Sequence, residues 1–252
     1  MRKIILRSSL ISLVAILLMY LLRIFFKTDA NIADIGGVNN FLAIFGTLYG
    51  ILSAFVVFEV WGQYNNTVKL IETEASGLER MYRLVLYFRD NKLADKIKTV
   101  INKYIELIIE DEFPKLSQNV RSEKSSSVFR QFHTIVCGIK FDDDHDAIVF
   151  DQLLEDYDNL SATRNERINQ SLARLPGLLT TFLYLSSAFV ITIFLLMPFN
   201  NMYYGFLTIG ILTFILGLVF QLIEDLDNPF EGYWNISPEA FERAKKHIEE
   251  DY

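Results

Sequence analysis

The chain has 252 residues, 51% hydrophobic and 22% charged, with a mean hydropathy of +0.24 and a formal charge of -7. That balance excludes a disordered chain, which needs few apolar residues and high net charge, and leaves no basic excess for nucleic acid, whose binding rests on neutralised phosphates. The single cysteine, Cys137, excludes an internal disulfide and a multi-cysteine metal centre.

Four apolar stretches reach the roughly 20 residues needed to cross a bilayer. The first runs from Ile4 to Phe26 behind Arg2, Lys3 and Arg7. It is too long for a secretion-signal core and lacks a small-x-small cleavage site, so an uncleaved span is expected. The second runs from Phe41 to Trp61. Residues 63–174 then form a soluble segment with helical periodicity. One stripe is Val68, Ile71, Ala75, Leu78, Tyr82 and Val85, continuing span two without a break. Another is Leu93, Ile97, Ile101, Tyr104, Ile105 and Ile108, expected to stop near Phe113-Pro114. Ser117 to Ser127 reads as a loop, Val128 to Ile139 as a helix or a strand, and Ala147 to Arg174 as a charged helix. Spans three and four are Leu178 to Met197 and Met202 to Ile223. Ser237-Pro238-Glu239 starts a tail helix, with Ser as N-cap.

The expected fold is all-α: a four-helix transmembrane protein with a helical bundle inserted between spans two and three. Its segments are 1–62, 63–174, 175–223 and 224–252. Basic residues sit beside one side of the spans: Arg2, Lys3 and Arg7; Lys69, Arg80 and Arg83; Arg164, Arg167 and Arg174; Arg243, Lys245 and Lys246. By the positive-inside rule, both termini and the bundle are expected in the cytoplasm of a multi-pass protein of the cell (inner) membrane. Arg23 and Lys27 fall on the other side, where their stems would snorkel to the outer interface.

Span two carries the most information. Ala43, Gly46, Gly50 and Ala54 place small residues on one side, and Gly46 and Gly50 form the G-x-x-x-G pair that lets helices approach closely. This fits helix packing, within the chain or between copies. The adjoining strip Ala43, Thr47 and Ile51 repeats every four residues, and it equally fits the wall of a pore. Phe41, Phe45, Leu48, Leu52 and Phe55 suit lipid or another span. Glu59, near one end of the span, reads either as an interfacial carboxylate or as part of a carboxylate ring favouring cations.

Other polar groups invite less chemistry. Asp142-Asp143-Asp144-His145-Asp146 lacks the glycine and terminal glutamate of a calcium loop and suits a helix start. His133 and Cys137, one turn apart, are expected to be packed. No phosphate loop, nucleophile elbow or H-E-x-x-H motif occurs, so neither an enzyme, a cofactor nor a metal site is expected.

The stretch from Ala54 through Trp61, Gln63 and Tyr64 resembles the end of the second membrane helix of bestrophins. Asp227-Asn228-Pro229-Phe230-Glu231-Gly232 resembles the N-P-F-G segment that bestrophins place after their last span. Closer still is the pattern of the prokaryotic bestrophin-like family of unknown function: Y-G-x-L-x-A-F-V before the Trp, then Asp225-Leu226-Asp227 with Pro229-Phe230, then Ser237-Pro238-Glu239-Ala240-Phe241. The resemblance implies a homo-oligomer in membrane lipid, a pentamer, conducting an inorganic ion through a neck formed by the second helix. Counting back from Trp61 puts that neck at Ala43, Thr47 and Ile51. The sequence departs from bestrophins in having a smaller, more polar strip, an acid (Glu59) where they have a basic residue, and no acidic run after Glu231. The resemblance therefore carries over the channel but not the identity of its ion, nor a calcium clasp. A non-conducting scaffold or sensor that docks a cytoplasmic partner is the competing expectation, on the size of segment 63–174.

Overall fold

In the computed structural model, residues 2–26, 35–140 and 144–250 are described, and every regular element among them is helical. Lys27, Asp142 and Asp143 lie outside the described residues. In chain order the helices are α1 (Arg2–Phe26), α2 (Ile35–Leu86), α3 (Asn91–Leu107), a π-helical turn (Ile108–Glu112), α4 (Phe113–Ser117), α5 (Glu123–Cys137), α6 (Asp144–Leu172), α7 (Gly177–Leu196), α8 (Met202–Asp227) and α9 (Glu239–Glu250). Among the described residues, four helical stretches are long and apolar enough to cross a membrane, with their apolar portions in α1, α2, α7 and α8. By contacts the chain divides into two compact units, residues 1–62 with 174–227 and residues 63–173 with 228–252. Helix α8 runs past Ile223 to Asp227, since nothing breaks it before Pro229 disfavours helix at Asn228.

In the first unit, α1 packs along α8 through small residues. Ser12 Oγ donates to the Gly210 carbonyl at 2.9 Å, and Gln221 Nε2 donates to Ser8 Oγ at 2.6 Å. A Cβ on Gly217 would stand 3.3 Å from Ser8 Cα. Without water to drive association, such close backbone approach and cross-helix hydrogen bonding hold spans together. Gly217→Leu is therefore expected to force α1 away and lower stability by about 1–3 kcal/mol. Thermal unfolding in detergent checks this, and an unchanged midpoint would contradict the close approach.

Arg23 departs from expectation. It is buried, its Nη2 donates to the Met197 carbonyl at 3.1 Å, and its guanidinium lies 5.6 Å from the Phe199 ring centre. The cation thus caps the C-terminus of α7, where the helix dipole favours positive charge. On α2, Phe41 and Phe45 meet Phe189 of α7 at 5.8 and 5.5 Å, and the Tyr49 and Ser187 hydroxyls are 2.6 Å apart. Of the two settings open to the aromatic side of span two, Phe41 and Phe45 have another span.

The second unit has its own core. Ile71, Ala75, Leu78, Tyr82 and Val85 of α2 are buried with Ile97, Ile101, Tyr104, Ile105 and Ile108, as the two stripes predict. Phe129, Phe132 and Val136 of α5 and Phe241, Ala244 and Ile248 of α9 complete it. Three expectations change. The stretch Val128 to Ile139, open between helix and strand, is helical as far as Cys137, and α5 begins within the serine-rich stretch because Ser122 caps it, accepting from the Ser125 N–H at 3.2 Å. The helical path does not stop at Phe113-Pro114. A proline ring collides with the carbonyl four residues back in a regular helix; here the turn before it is widened, with the Phe113 N–H reaching the Ile108 carbonyl, and Pro114 takes the first turn of α4. His133 and Cys137 are exposed, not packed, with Sγ 3.5 Å from Nε2. The tail helix starts where expected, Ser237 Oγ accepting from the Glu239 N–H.

Candidate functional site

Ala43, Thr47, Ile51 and Glu59 are all exposed along α2. Thr47 Oγ1 donates to the Ala43 carbonyl at 2.7 Å, which satisfies its proton and leaves the oxygen's lone pairs outward. Gly46 and Gly50 face open space, for a Cβ on either would meet nothing within 4 Å, and Ala54 is exposed. The small side of α2 is thus not used for packing within the chain. In the first unit, closely packed glycines stand on α8, at Gly205, Gly210 and Gly217, which sequence reasoning passed over because their spacing is not G-x-x-x-G. Only 11% of the apolar window of α2 is buried, against 39% for α8. A cavity of about 570 Å³, lined by Gly50, Ser53, Ala54 and Val57 with Ile215 and Leu216 of α8, runs beside this surface.

The motif residues divide between the units. Trp61 is 40% exposed, while Gln63 and Tyr64 are half-buried, and the Tyr64 ring meets Trp234 edge to face at 6.4 Å. Asp227 accepts from the Leu175 N–H at 2.8 Å, holding the entry to α7. Asn228 Nδ2 donates to the Ser117 carbonyl and to Glu231, each at 3.0 Å. Pro229 is buried and the Phe230 ring centre lies 4.8 Å from that of Phe113. Asp225 is half-buried. The polar groups of Asp227 and Asn228 are thus engaged in building a turn. Among the described residues, no three His, Cys, Asp or Glu side chains are placed to hold a metal ion.

The second unit contains a charged cluster that the sequence reading missed. Arg167, fully buried, donates from Nε to Glu74 at 2.5 Å and from Nη2 to Glu112 at 2.5 Å. Arg164 donates from Nη2 to Glu112 at 3.2 Å and from Nε to the Tyr104 hydroxyl at 2.8 Å; that hydroxyl in turn donates to Glu74 at 2.5 Å. Ser125 Oγ also donates to Glu112. Five segments (α2, α3, the π turn, α5 and α6) each supply a member. The signal was present: Glu74 falls between Ile71 and Leu78 on the buried stripe, and Arg164 and Arg167 share a face with Leu160, Ile168 and Ser171. Position near a span suggested that both arginines mark the cytoplasmic side, whereas their guanidinium groups lie inside this core.

Compared with known families, residues 9–241 match the Bestrophin-like domain. The chain belongs to the bestrophin-like family. This upholds the resemblance drawn from Trp61, Gln63 and Tyr64 and from the Asp225 to Phe230 segment. The bestrophin-like fold is also shared with solved structures. A bacterial bestrophin homologue from Klebsiella pneumoniae, crystallised as a variant, superposes with a TM-score of 0.70 at 12% identity, covering 98% of this chain and all of the other (100%). A second variant of it gives 0.69 at 12% identity, covering 98% and 94%. A crystallised membrane-protein variant gives 0.69 at 13%, covering 98% of each. No curated protein matches by sequence.

In this bestrophin-like chain the buried cluster holds two cations against two carboxylates, so it binds segments together without leaving net charge inside. Burial opposes ionisation of Glu112, but Arg167, the Ser125 hydroxyl and Arg164 outweigh it and hold the carboxyl below its usual range. Burial and the neighbouring Glu74 carboxylate keep the Tyr104 phenol protonated far into alkali. At the rim, hydrogen bonds from Lys115 and Ser122 lower Asp111 from 3.8 to about 2. A carboxyl depressed on folding contributes stability above its unfolded pKa, and loses it as pH falls through the folded one. The Asp111 contribution is therefore full above 3.8 and fades toward about 2. Asp111→Asn should flatten that part of the stability–pH curve by lowering stability above 3.8 while leaving it nearly unchanged at about 2 and below; an unaltered acid limb would contradict it.

Proposed function

We propose that this chain is one subunit of a homo-oligomeric ion channel whose pore is lined by Ala43, Thr47 and Ile51 of α2, with Glu59 at one end. The observation that carries the reading is the exposure of that strip together with the open space at Gly46 and Gly50. An apolar helix that its own chain covers on one side only, bearing small and hydroxyl residues along its open side, suits contact with other copies and with a water-filled axis. The family's characterised members are ion channels, not enzymes. We take the oligomer to be a pentamer, as in bestrophins. The basic residues beside the spans support, by the positive-inside rule, a cytoplasmic side for both termini and the second unit.

The test is reconstitution in planar bilayers under asymmetric KCl. Unitary current steps support the proposal, and a reversal potential displaced toward potassium supports a cation bias from Glu59, which Glu59→Gln should diminish. A silent bilayer containing intact oligomers would favour a scaffold that docks a cytoplasmic partner. Gly50→Leu provides an independent check on the assembly. Since a Cβ on Gly50 would meet nothing within 4 Å among the described residues and the cavity beside it leaves room for more, the fold should tolerate the side chain while the oligomer is lost on size-exclusion chromatography. An oligomer that persists would remove Gly50 from the contact between copies.

A further inference from the structure

The loop after α8 is held at both ends and exposed at its tip. At one end Pro229 is buried and Phe230 packs on Phe113; at the other Ile236 is buried, its N–H donating to the Pro229 carbonyl at 2.8 Å. Between them Gly232 has a φ of 93°, a left-handed conformation that only glycine adopts readily. The tip presents Tyr233 and Trp234, 56% and 36% exposed. Their rings meet edge to face at 6.2 Å, and Trp234 also rests on Tyr64.

Two large aromatic side chains at the tip of a firmly held loop are a poor choice for water. Each has an apolar body and one polar atom, the combination enriched where a membrane meets water. Position along the chain fits as well. Tyr64 lies about one helical turn past Trp61, where the apolar part of α2 ends, and the loop itself follows directly on α8.

We propose that the Tyr233–Trp234 tip, backed by Tyr64, is an interfacial anchor that inserts into the headgroup layer of the bilayer spanned by α2 and α8. It rests on the reading of those helices as membrane spans and is independent of conduction. The chain has only two tryptophans, so Trp61→Phe leaves Trp234 as the sole indole. That variant is reconstituted in phosphatidylcholine vesicles carrying a nitroxide either on the headgroup or deep in the acyl chain. The headgroup label should quench Trp234 about twofold more strongly than the deep label. Full quenching by aqueous iodide with no response to either lipid label would put the tip in water and overturn the anchor. Response to no quencher would put it against protein, such as another copy, and overturn it too. Resistance to carbonate extraction is measured alongside; release by carbonate would overturn the membrane spans themselves, a separate failure. Should Trp61→Phe not insert, the difference between the native chain and Trp234→Phe gives the same readout.

Discussion

Replacing Arg167 by methionine is expected to lower the stability of the chain by about 3–5 kcal/mol, the usual penalty for stranding a buried charge. Among the described residues, Arg167 alone touches both carboxylates of the cluster, Glu74 at 2.5 Å and Glu112 at 2.5 Å. Without it, Arg164 reaches Glu112 alone, and Glu74 keeps only the Tyr104 hydroxyl among the hydrogen bonds described above. The charge explanation makes a second demand. Adding Glu74→Gln and Glu112→Gln to Arg167→Met should recover much of the loss, because removing a buried ion pair whole costs far less than removing one partner. Thermal unfolding of the detergent-solubilised chain measures both. A triple variant no more stable than Arg167→Met would sink the charge explanation and leave the lost packing against Phe241, 6.0 Å from the guanidinium.

Thr47→Trp should cut unitary conductance to below about a tenth while leaving the oligomer intact, since conduction through a narrow neck depends steeply on its bore. The substitution adds an indole at a position where the chain itself offers no obstruction: Thr47 is exposed and its hydroxyl bonds only to its own helix. Leu52→Trp, more than a third of a turn around α2 and also exposed, is the control, and its current should remain that of the native chain. Equal currents from Thr47→Trp and the native chain would take Thr47 out of the pore wall, and equal losses from both variants would point to general disruption of α2.

Much of this fold could be read from patterns that physical chemistry makes strict. Spans announce themselves because a bilayer core demands roughly 20 apolar residues, and the stripes at Ile71–Val85 and Ile97–Ile108 because burial on one helix face repeats every three or four residues. What escaped reading was set by partners distant in sequence. Arg23 looks like an interfacial cation until the Met197 carbonyl is brought beside it by the turn between α7 and α8. Glu74 looks like a solvated acid until Arg167, far along the chain, fills its buried face. Gly210 and Gly217 look like ordinary residues of an apolar span until Ser8 and Ser12 are laid against them. Pro114 looks like a stop because the widening that accommodates it leaves no pattern in residue type. For Ala43, Thr47, Ile51 and Glu59, the sequence suggests a shared strip of α2, and the structure leaves all four exposed.

The widened turn at Ile108–Glu112 also bears on how relatives should be compared. Closing a turn over five residues instead of four stores one surplus residue in an otherwise ordinary helical rod. Upstream and downstream of it, each inserted or deleted residue rotates the remaining helix by about 100° and turns its apolar stripe away from the core. Within it, a deletion lets the helix relax to the regular form with Phe113 still over Ile108 once Pro114 is also replaced, since its ring would otherwise meet the carbonyl four residues back, and the main remaining loss falls on the placement of Glu112. Length variation among homologues should accordingly collect between Ile108 and Phe113, and chains shortened there should have lost the acid at 112 together with its arginine partners.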